Sequence, residues 1–298
     1  MIKTVSGWLA AIWRGGFNIV PLHYSNSPNL VEKTDQIVMA TSLPTIVLVH
    51  GAWHTPANYK SYSDALEAQG FKVLCPQLPS CNDKSPPVSS FTEDVTAVRD
   101  VVKSLVEADE QVLVAMHSYG GAVGTDAVQG LTFADRKAEG KSGGVIHLFY
   151  MCAYIVVPGT SVWDICQEAG FAQLWPQFIQ NFDDGSTFPV DPSLSFLGGV
   201  EQDIVDKALP NLVRSPISAF EAKTKGDAWR RVPVTYILTQ QDYSVPRPYQ
   251  DLMLEKVKIE GVVVKTEDYE TCHSVFITKE KEMVDAVVVA AGDERNLG

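Results

Sequence analysis

From Met39 onward, short runs rich in Val, Ile and Leu alternate with amphipathic segments, and this alternation limits the fold more than any other feature of the chain. Runs at 45–50 (TIVLVH), 71–75 (FKVLC), 111–116 (QVLVAM), 145–151 (VIHLFYM), 233–239 (PVTYILT) and 262–268 (VVVKTED) read as strands. Near-continuous apolar runs suit strands buried on both faces, so the pattern predicts an α/β domain whose mostly parallel sheet is flanked by helices. The intervening segments carry helix punctuation. Thr55 followed by Pro56 marks a start and Gly70 after Leu66 a stop. Ser90 and Glu93 form a capping box ahead of a stripe of Val95, Val98, Val102 and Leu105.

The alternation breaks between residues 157 and 231. This stretch shows no clear strand, yet it holds six of the twelve Phe and three of the six Trp. It is expected to be a helical lid inserted late in the sheet. Most of its rings would form its own core and a few would line a pocket; Trp175 and Phe182, with Trp53 from the first loop, are the candidate substrate-binding residues. The polar segment 132–144 reads as a solvated loop. The domain plan is therefore an extension at 1–38, an α/β core at 39–156 and 232–298, and a lid at 157–231. The extension, with Ile2, Val5, Leu9, Ile12 and Trp13 near helical spacing and Lys3 and Arg14 as its early charges, faintly resembles a mitochondrial transit peptide. Met39 directly precedes the first strand and offers a start of its own, so the extension is expected to be dispensable and the protein cytoplasmic, with mitochondrial placement as the alternative.

Charge excludes one large class of partners. A formal charge of −12 and a pI near 4.9 oppose the basic faces that nucleic-acid binding needs. No apolar run reaches the roughly 20 residues of a membrane-spanning helix. The five cysteines are widely spaced, form no Cys-x-x-Cys pair and read as reduced thiols. No metal and no cofactor is expected, and oligomeric state is not encoded in any feature found.

The third run ends abruptly in "HSYGG". A strand turning sharply into a helix at Ser118 would hold that serine in strained geometry and project its Oγ from the sheet, while the glycines keep Cβ atoms out of a crowded turn. This is the pattern of a nucleophile elbow.

With "LVHGAWH" after the first strand and "HSYGG" after the third, the chain resembles the α/β-hydrolases over about residues 43–290, in particular plant methylesterases and hydroxynitrile lyases and their bacterial and fungal esterase relatives. It departs from the usual G-x-S-x-G in carrying Met116 at the first glycine position, which requires the adjacent helix to leave room. The resemblance implies a triad in the chain order serine, acid, histidine. After Ser118 the only histidines are His147, inside a predicted strand, and His273, which follows the last strand and precedes a closing amphipathic helix; His273 matches the base. Asp242, in a loop after a strand with Pro246 behind it, matches the acid better than Asp227 or Asp268. The histidine-glycine loop implies an oxyanion hole made by the backbone N–H groups of Ala52 and Tyr119. His50, His54 and His117 are expected to hydrogen bond within their loops.

The chemistry this implies is hydrolysis of a carboxylic ester or lactone of a small, partly apolar molecule through an acyl-enzyme on Ser118. Two alternatives keep the fold. One is a cofactor-independent C–C lyase, although the resembling lyases carry lysine directly after the histidine where this chain has Ser274. The other is a small-molecule receptor without turnover.

Overall fold

The computed structural model describes residues 43–292, so the expectations for the 1–38 extension fall outside the described residues. Nine strands form two sheets: β1 (Thr45–Val49), β2 (Val73–Leu74), β3 (Gln111–His117), β4 (Gly144–Met151), β5 (Ile179–Asn181), β6 (Ser186–Pro189), β7 (Ser215–Pro216), β8 (Val234–Thr239) and β9 (Lys265–Tyr269). The main sheet has the order β2-β1-β3-β4-β8-β9, and every pairing in it is parallel. All six predicted strands are present, their ends shifted by up to three residues.

Each inner strand is buried on both faces, and the period of two sorts its residues into two cores. Ile46, Leu48, Leu113, Ala115, Phe149, Met151 and Ile237 face Leu66, Phe276, Met283 and Val287, from the helices Lys60–Ala68, Val275–Thr278 and Glu280–Gly292. Val47, Val49, Val112, Val114, Met116, Leu148 and Tyr236 face Val98, Val102, Val123 and Met253, from the helices Phe91–Glu107, Gly120–Ala127 and Arg247–Ile259. The Ser90 capping box forms, with the Ser90 N–H donating to Glu93 at 2.8 Å. Gly70 ends the first helix at φ +92°, where a Cβ would be strained.

The strand order places the site. From β1 the chain passes outward to β2, then returns to the other side of β1 for β3 and continues in that direction. Successive connections therefore diverge between β1 and β3, and a crevice opens beyond their carboxyl ends. Gly51 and Ala52 follow β1 there, and Ser118 follows β3.

Two expectations are corrected. The insertion between β4 and β8 is not purely helical: β5, β6 and β7 form a small antiparallel sheet. Its tight turn closes over Phe182–Gly185, with the Gly185 N–H donating to Phe182 O at 3.0 Å and Gly185 at φ +82°. The Asp-Gly pair at 184–185 is a hairpin signal, but strands of three and four residues are too short to show alternation. The 132–144 segment is not simply a loop. It contains the helix Phe133–Ala138, capped by Thr132, whose Oγ1 accepts from the Asp135 N–H at 3.1 Å. Buried Arg136 closes the corner by donating to the carbonyls of Val106, Ser142 and Gly143.

Candidate active site

Ser118 sits at φ +55°, in the left-handed region that a residue with a Cβ rarely adopts. The turn is pinned on both sides: the Ser118 N–H donates to Met151 O at 3.2 Å, and Ser118 O accepts from the Tyr154 and Gly121 N–H groups at 2.9 and 3.0 Å. The following glycines are required by close approach. A Cβ at Gly120 would lie 2.4 Å from Val49 O, and one at Gly121 2.7 Å from Tyr154 O. Met116 is accommodated by a third glycine, since a Cβ at Gly124 would lie 2.5 Å from Met116 Sδ. The departure from G-x-S-x-G is thus compensated one helical turn past the elbow.

Strain collects at this end of the sheet. Of the four non-glycine residues at positive φ among the described residues, Trp53, Ser118 and Cys152 each follow a neighbouring strand, β1, β3 and β4. Such backbone persists only where surrounding contacts hold it, and it clusters at functional sites.

His273 and Asp242 come together in the structure. His273 Nδ1–H donates to Asp242 Oδ2 at 2.8 Å, and both side chains are buried. Asp242 Oδ2 also accepts from Thr239 Oγ1 at 2.9 Å, and Oδ1 accepts from the Ser244 and Val245 N–H groups at 2.8 and 2.7 Å. This carboxylate fixes the imidazole in the tautomer that leaves Nε2 as an acceptor. His273 Nε2 is buried and makes no hydrogen bond, including none to Ser118. Such links are often long before substrate binds. The other two acids lie at the surface: Asp268 accepts from Gln240 and Arg247, and Asp227 from Gln129 and Arg230. His147 contacts Thr235 Oγ1 at 3.0 Å within the sheet.

The other three histidines among the described residues are structural, and all three are neutral at neutral pH because burial disfavours the imidazolium. His50 donates from Nδ1 to Gly51 O at 2.9 Å and accepts from the Leu78 N–H at 3.0 Å, with its pKa lowered to about 4. His54 donates to Ala52 O at 2.8 Å, and its pKa falls to about 3. His117 reaches further than its own loop. It accepts from Tyr59 O–H at 2.6 Å and donates from Nε2 to His273 O at 3.0 Å, while Tyr59 in turn accepts from the Gly51 N–H at 3.0 Å. One chain of hydrogen bonds therefore runs from the β1 loop to the loop of His273. Cys152 also donates to His273 O, at 3.2 Å. His117, Cys152 and His273 are close enough together to suggest a metal cluster. Their polar groups already converge on that one carbonyl and on Asp242, so they do not form a cation site.

Sequence reasoning missed two supporting residues. Gln250 is fully buried and locks the acid loop: its amide oxygen accepts from the Thr239 N–H at 3.1 Å, and its amide nitrogen donates to Val245 O at 2.7 Å. Its signal was a polar residue in register with Met253 and Val257 on the buried face of a helix. Asp94 is buried without a cation and accepts from the Ser80 N–H, Ser80 Oγ and Tyr119 O–H at 2.8, 2.6 and 2.8 Å. Burial pushes its carboxyl up to about 6.

A cavity of about 410 Å³ opens onto Ser118, Asp242, Ala52 and Tyr119. Nine of the 23 residues in its wall are aromatic, among them Trp53, Phe171, Trp175, Phe220 and Tyr249. The N–H groups of Ala52 and Tyr119 donate to no acceptor among the described residues. Trp53 and Trp175 line the cavity. Phe182 does not: it lies beneath Arg214, whose guanidinium carbon is 3.7 Å from the ring centroid. Its place in the β5–β6 turn carries it away from the cavity, and sequence position within the insertion could not reveal this.

The family model for the alpha/beta hydrolase family matches residues 46–286, and the chain belongs to that family. It is similar to the alpha/beta hydrolase nvfD of Aspergillus novofumigatus, 29% identical over 70% of this chain and 81% of that protein. A carbendazim hydrolyzing esterase of Nocardioides sp. is 31% identical over 47% of this chain and 54% of its own length. Among solved structures, tomato methylketone synthase I in complex with 2-tridecanone superposes with a TM-score of 0.66 at 14% identity, covering 84% of this chain and 98% of that one. No helix among the described residues is long and apolar enough to cross a membrane.

Proposed function

We propose that the protein is a serine hydrolase of carboxylic esters, with Ser118, His273 and Asp242 as its triad and the 157–231 insertion as its lid. The observation that carries this is the state of His273: one ring nitrogen is bonded to Asp242, which lines the same cavity as a serine held at positive φ, and the other is buried and unpartnered as an acceptor. The esterase named among its relatives supports the same class.

Ser118 Oγ attacks the ester carbonyl while its proton passes to His273 Nε2, and Asp242 stabilises the imidazolium. The negative oxygen that develops is received by the Ala52 and Tyr119 N–H groups, donors fixed before the reaction and therefore costing no reorganisation during it. His273 then protonates the departing alkoxide, leaving an acyl-enzyme. Water attacks that ester by the same route in reverse roles, and the acid is released.

The cavity favours an uncharged substrate. Its charged lining residues are already engaged: Asp242 by four donors, and Arg247 by Asp251 and Asp268, each at 2.8 Å. A charged acyl or alkoxy group would lose water without gaining a free counter-ion. An apolar, ring-bearing group would meet aromatic surface instead.

The test is labelling and turnover together. A fluorophosphonate should add one label to the wild type and none to folded Ser118→Ala, and the wild type should turn over aryl esters many times. Equal labelling of the two proteins would remove Ser118 from the nucleophile's role, and a single burst without further product would indicate a binding protein.

A further inference from the structure

The insertion is hydrogen-bonded to three of the four loops that carry the proposed machinery, all but the elbow of Ser118. On the acid loop, Ser244 Oγ donates to Ser195 O at 3.2 Å. On the base loop, the Ser274 N–H donates to Phe196 O at 3.0 Å. The densest connection is to the loop after β1. Thr55 Oγ1 donates to Asn211 O at 3.1 Å, and Asn58 Nδ2 donates to Ala208 O at 3.0 Å.

Trp53 stands at the centre of that connection. Its backbone is at φ +62°, unfavourable for a bulky side chain, so its conformation depends on what surrounds it. Those surroundings belong to the insertion. Trp53 O accepts from the Val213 N–H at 2.8 Å, and its indole N–H donates to Thr187 O and Oγ1 at 3.2 and 3.1 Å. Its ring packs 5.0 Å from Phe220 and 6.1 Å from Phe196. Ala52, the preceding residue, carries one of the two proposed oxyanion donors. The Ala52 N–H lies in the planar peptide joining 51 to 52, so a shift at Trp53 reaches it through the two soft dihedrals of Ala52.

We infer that Trp53 is a positioning residue through which the docked insertion sets the oxyanion hole. The insertion then does more than select substrate: while Thr187 and Val213 hold Trp53, the Ala52 N–H is aimed into the crevice, and when they do not, the loop can leave its left-handed conformation and the donor moves with it. This rests on the ester hydrolase proposed above.

The experiment compares Trp53→Phe, which keeps an aromatic ring and loses the indole N–H, with Thr187→Val, which alters the acceptor from a residue outside the cavity lining. Two nitrophenyl esters are used: the acetate, too small to span the aromatic wall, and the 2-naphthoate. Outright loss of an oxyanion donor costs about 10²–10³ in kcat, so displacing one is expected to lower kcat by about 10-fold in Trp53→Phe and less in Thr187→Val. The fall should be equal for both esters, with KM little changed, because the donors serve acylation and deacylation alike. A merely structural wall residue would instead raise KM for the naphthoate alone. Unchanged kcat for the acetate in folded Trp53→Phe overturns the inference; should that variant not fold, unchanged kcat in Thr187→Val decides the same way. Failure of the wild type to turn over either ester overturns the hydrolase and this coupling together.

Discussion

Met116 Sδ occupies the space that a side chain at residue 124 would need, 2.5 Å from where a Cβ would stand. The bulk placed two residues before Ser118 is matched by the loss of bulk on the helix above it. Gly124→Ala alone should therefore overpack the elbow, destabilising the protein by about 1–3 kcal/mol. In a Met116→Ala background the same change should cost less than in the wild type. Urea unfolding of the four proteins measures the coupling, and simple additivity would show that the two residues do not compete for space.

Asp242→Asn should lower kcat by on the order of 10²–10⁴, since the amide can no longer hold the imidazole tautomer or stabilise its charged form. Asp268→Asn and Asp227→Asn, at surface ion pairs, should each cost less than about 10-fold. Steady-state rates on one ester near pH 7, with folding checked by circular dichroism, discriminate among the three. A larger loss at Asp268 would displace Asp242.

Trp175 and Phe182 should now behave differently. Trp175 lines the cavity and packs edge-on against Phe220 at 5.8 Å, so Trp175→Ala is expected to reorder a series of aryl and alkyl esters. Phe182 supports Arg214 instead, and Phe182→Ala should leave the order as it is. A reordering by Phe182→Ala would place that ring in contact with substrate.

Acid should destabilise the fold through its buried histidines. His50, His54 and His117 all have folded pKa values lowered below 6.5, to about 4 for His50, about 3 for His54 and well below normal for His117. The unfolded chain therefore binds more protons as pH falls below about 6.5, and stability present above that pH is lost on the way down. Asp94 acts in the opposite sense: its folded pKa, raised to about 6, makes the native state the better proton binder between about 4 and 6. Burial also raises the Asp126 carboxyl, in the same sense as Asp94, but three histidines against two carboxyls leave the histidines dominant. Unfolding free energy should fall by on the order of 1–3 kcal/mol per pH unit between about pH 6 and 5. Urea titrations across that interval check the sign, and rising stability with acid would mean that the two carboxyls outweigh the histidines.

Residue order alone was enough for the six core strands, the Ser90 cap and the stop at Gly70, because these depend on local periodicity and on backbone preferences carried by each residue. The positions of Ser118, Asp242 and His273 at or just after strand ends were likewise legible, through the resemblance of their motifs to the family. Tertiary structure decided what depends on meetings between distant segments. Gly124 makes room for Met116 only because a helix crosses the strand end. Gln250 braces the acid loop from a helix that sequence shows merely as amphipathic. Phe182 and Trp175, seven residues apart in one insertion, part ways because a short hairpin turns one ring out and leaves the other over the cavity. Each such contact is set by packing and by hydrogen bonds across many residues of intervening chain, and no local pattern encodes which partner will arrive.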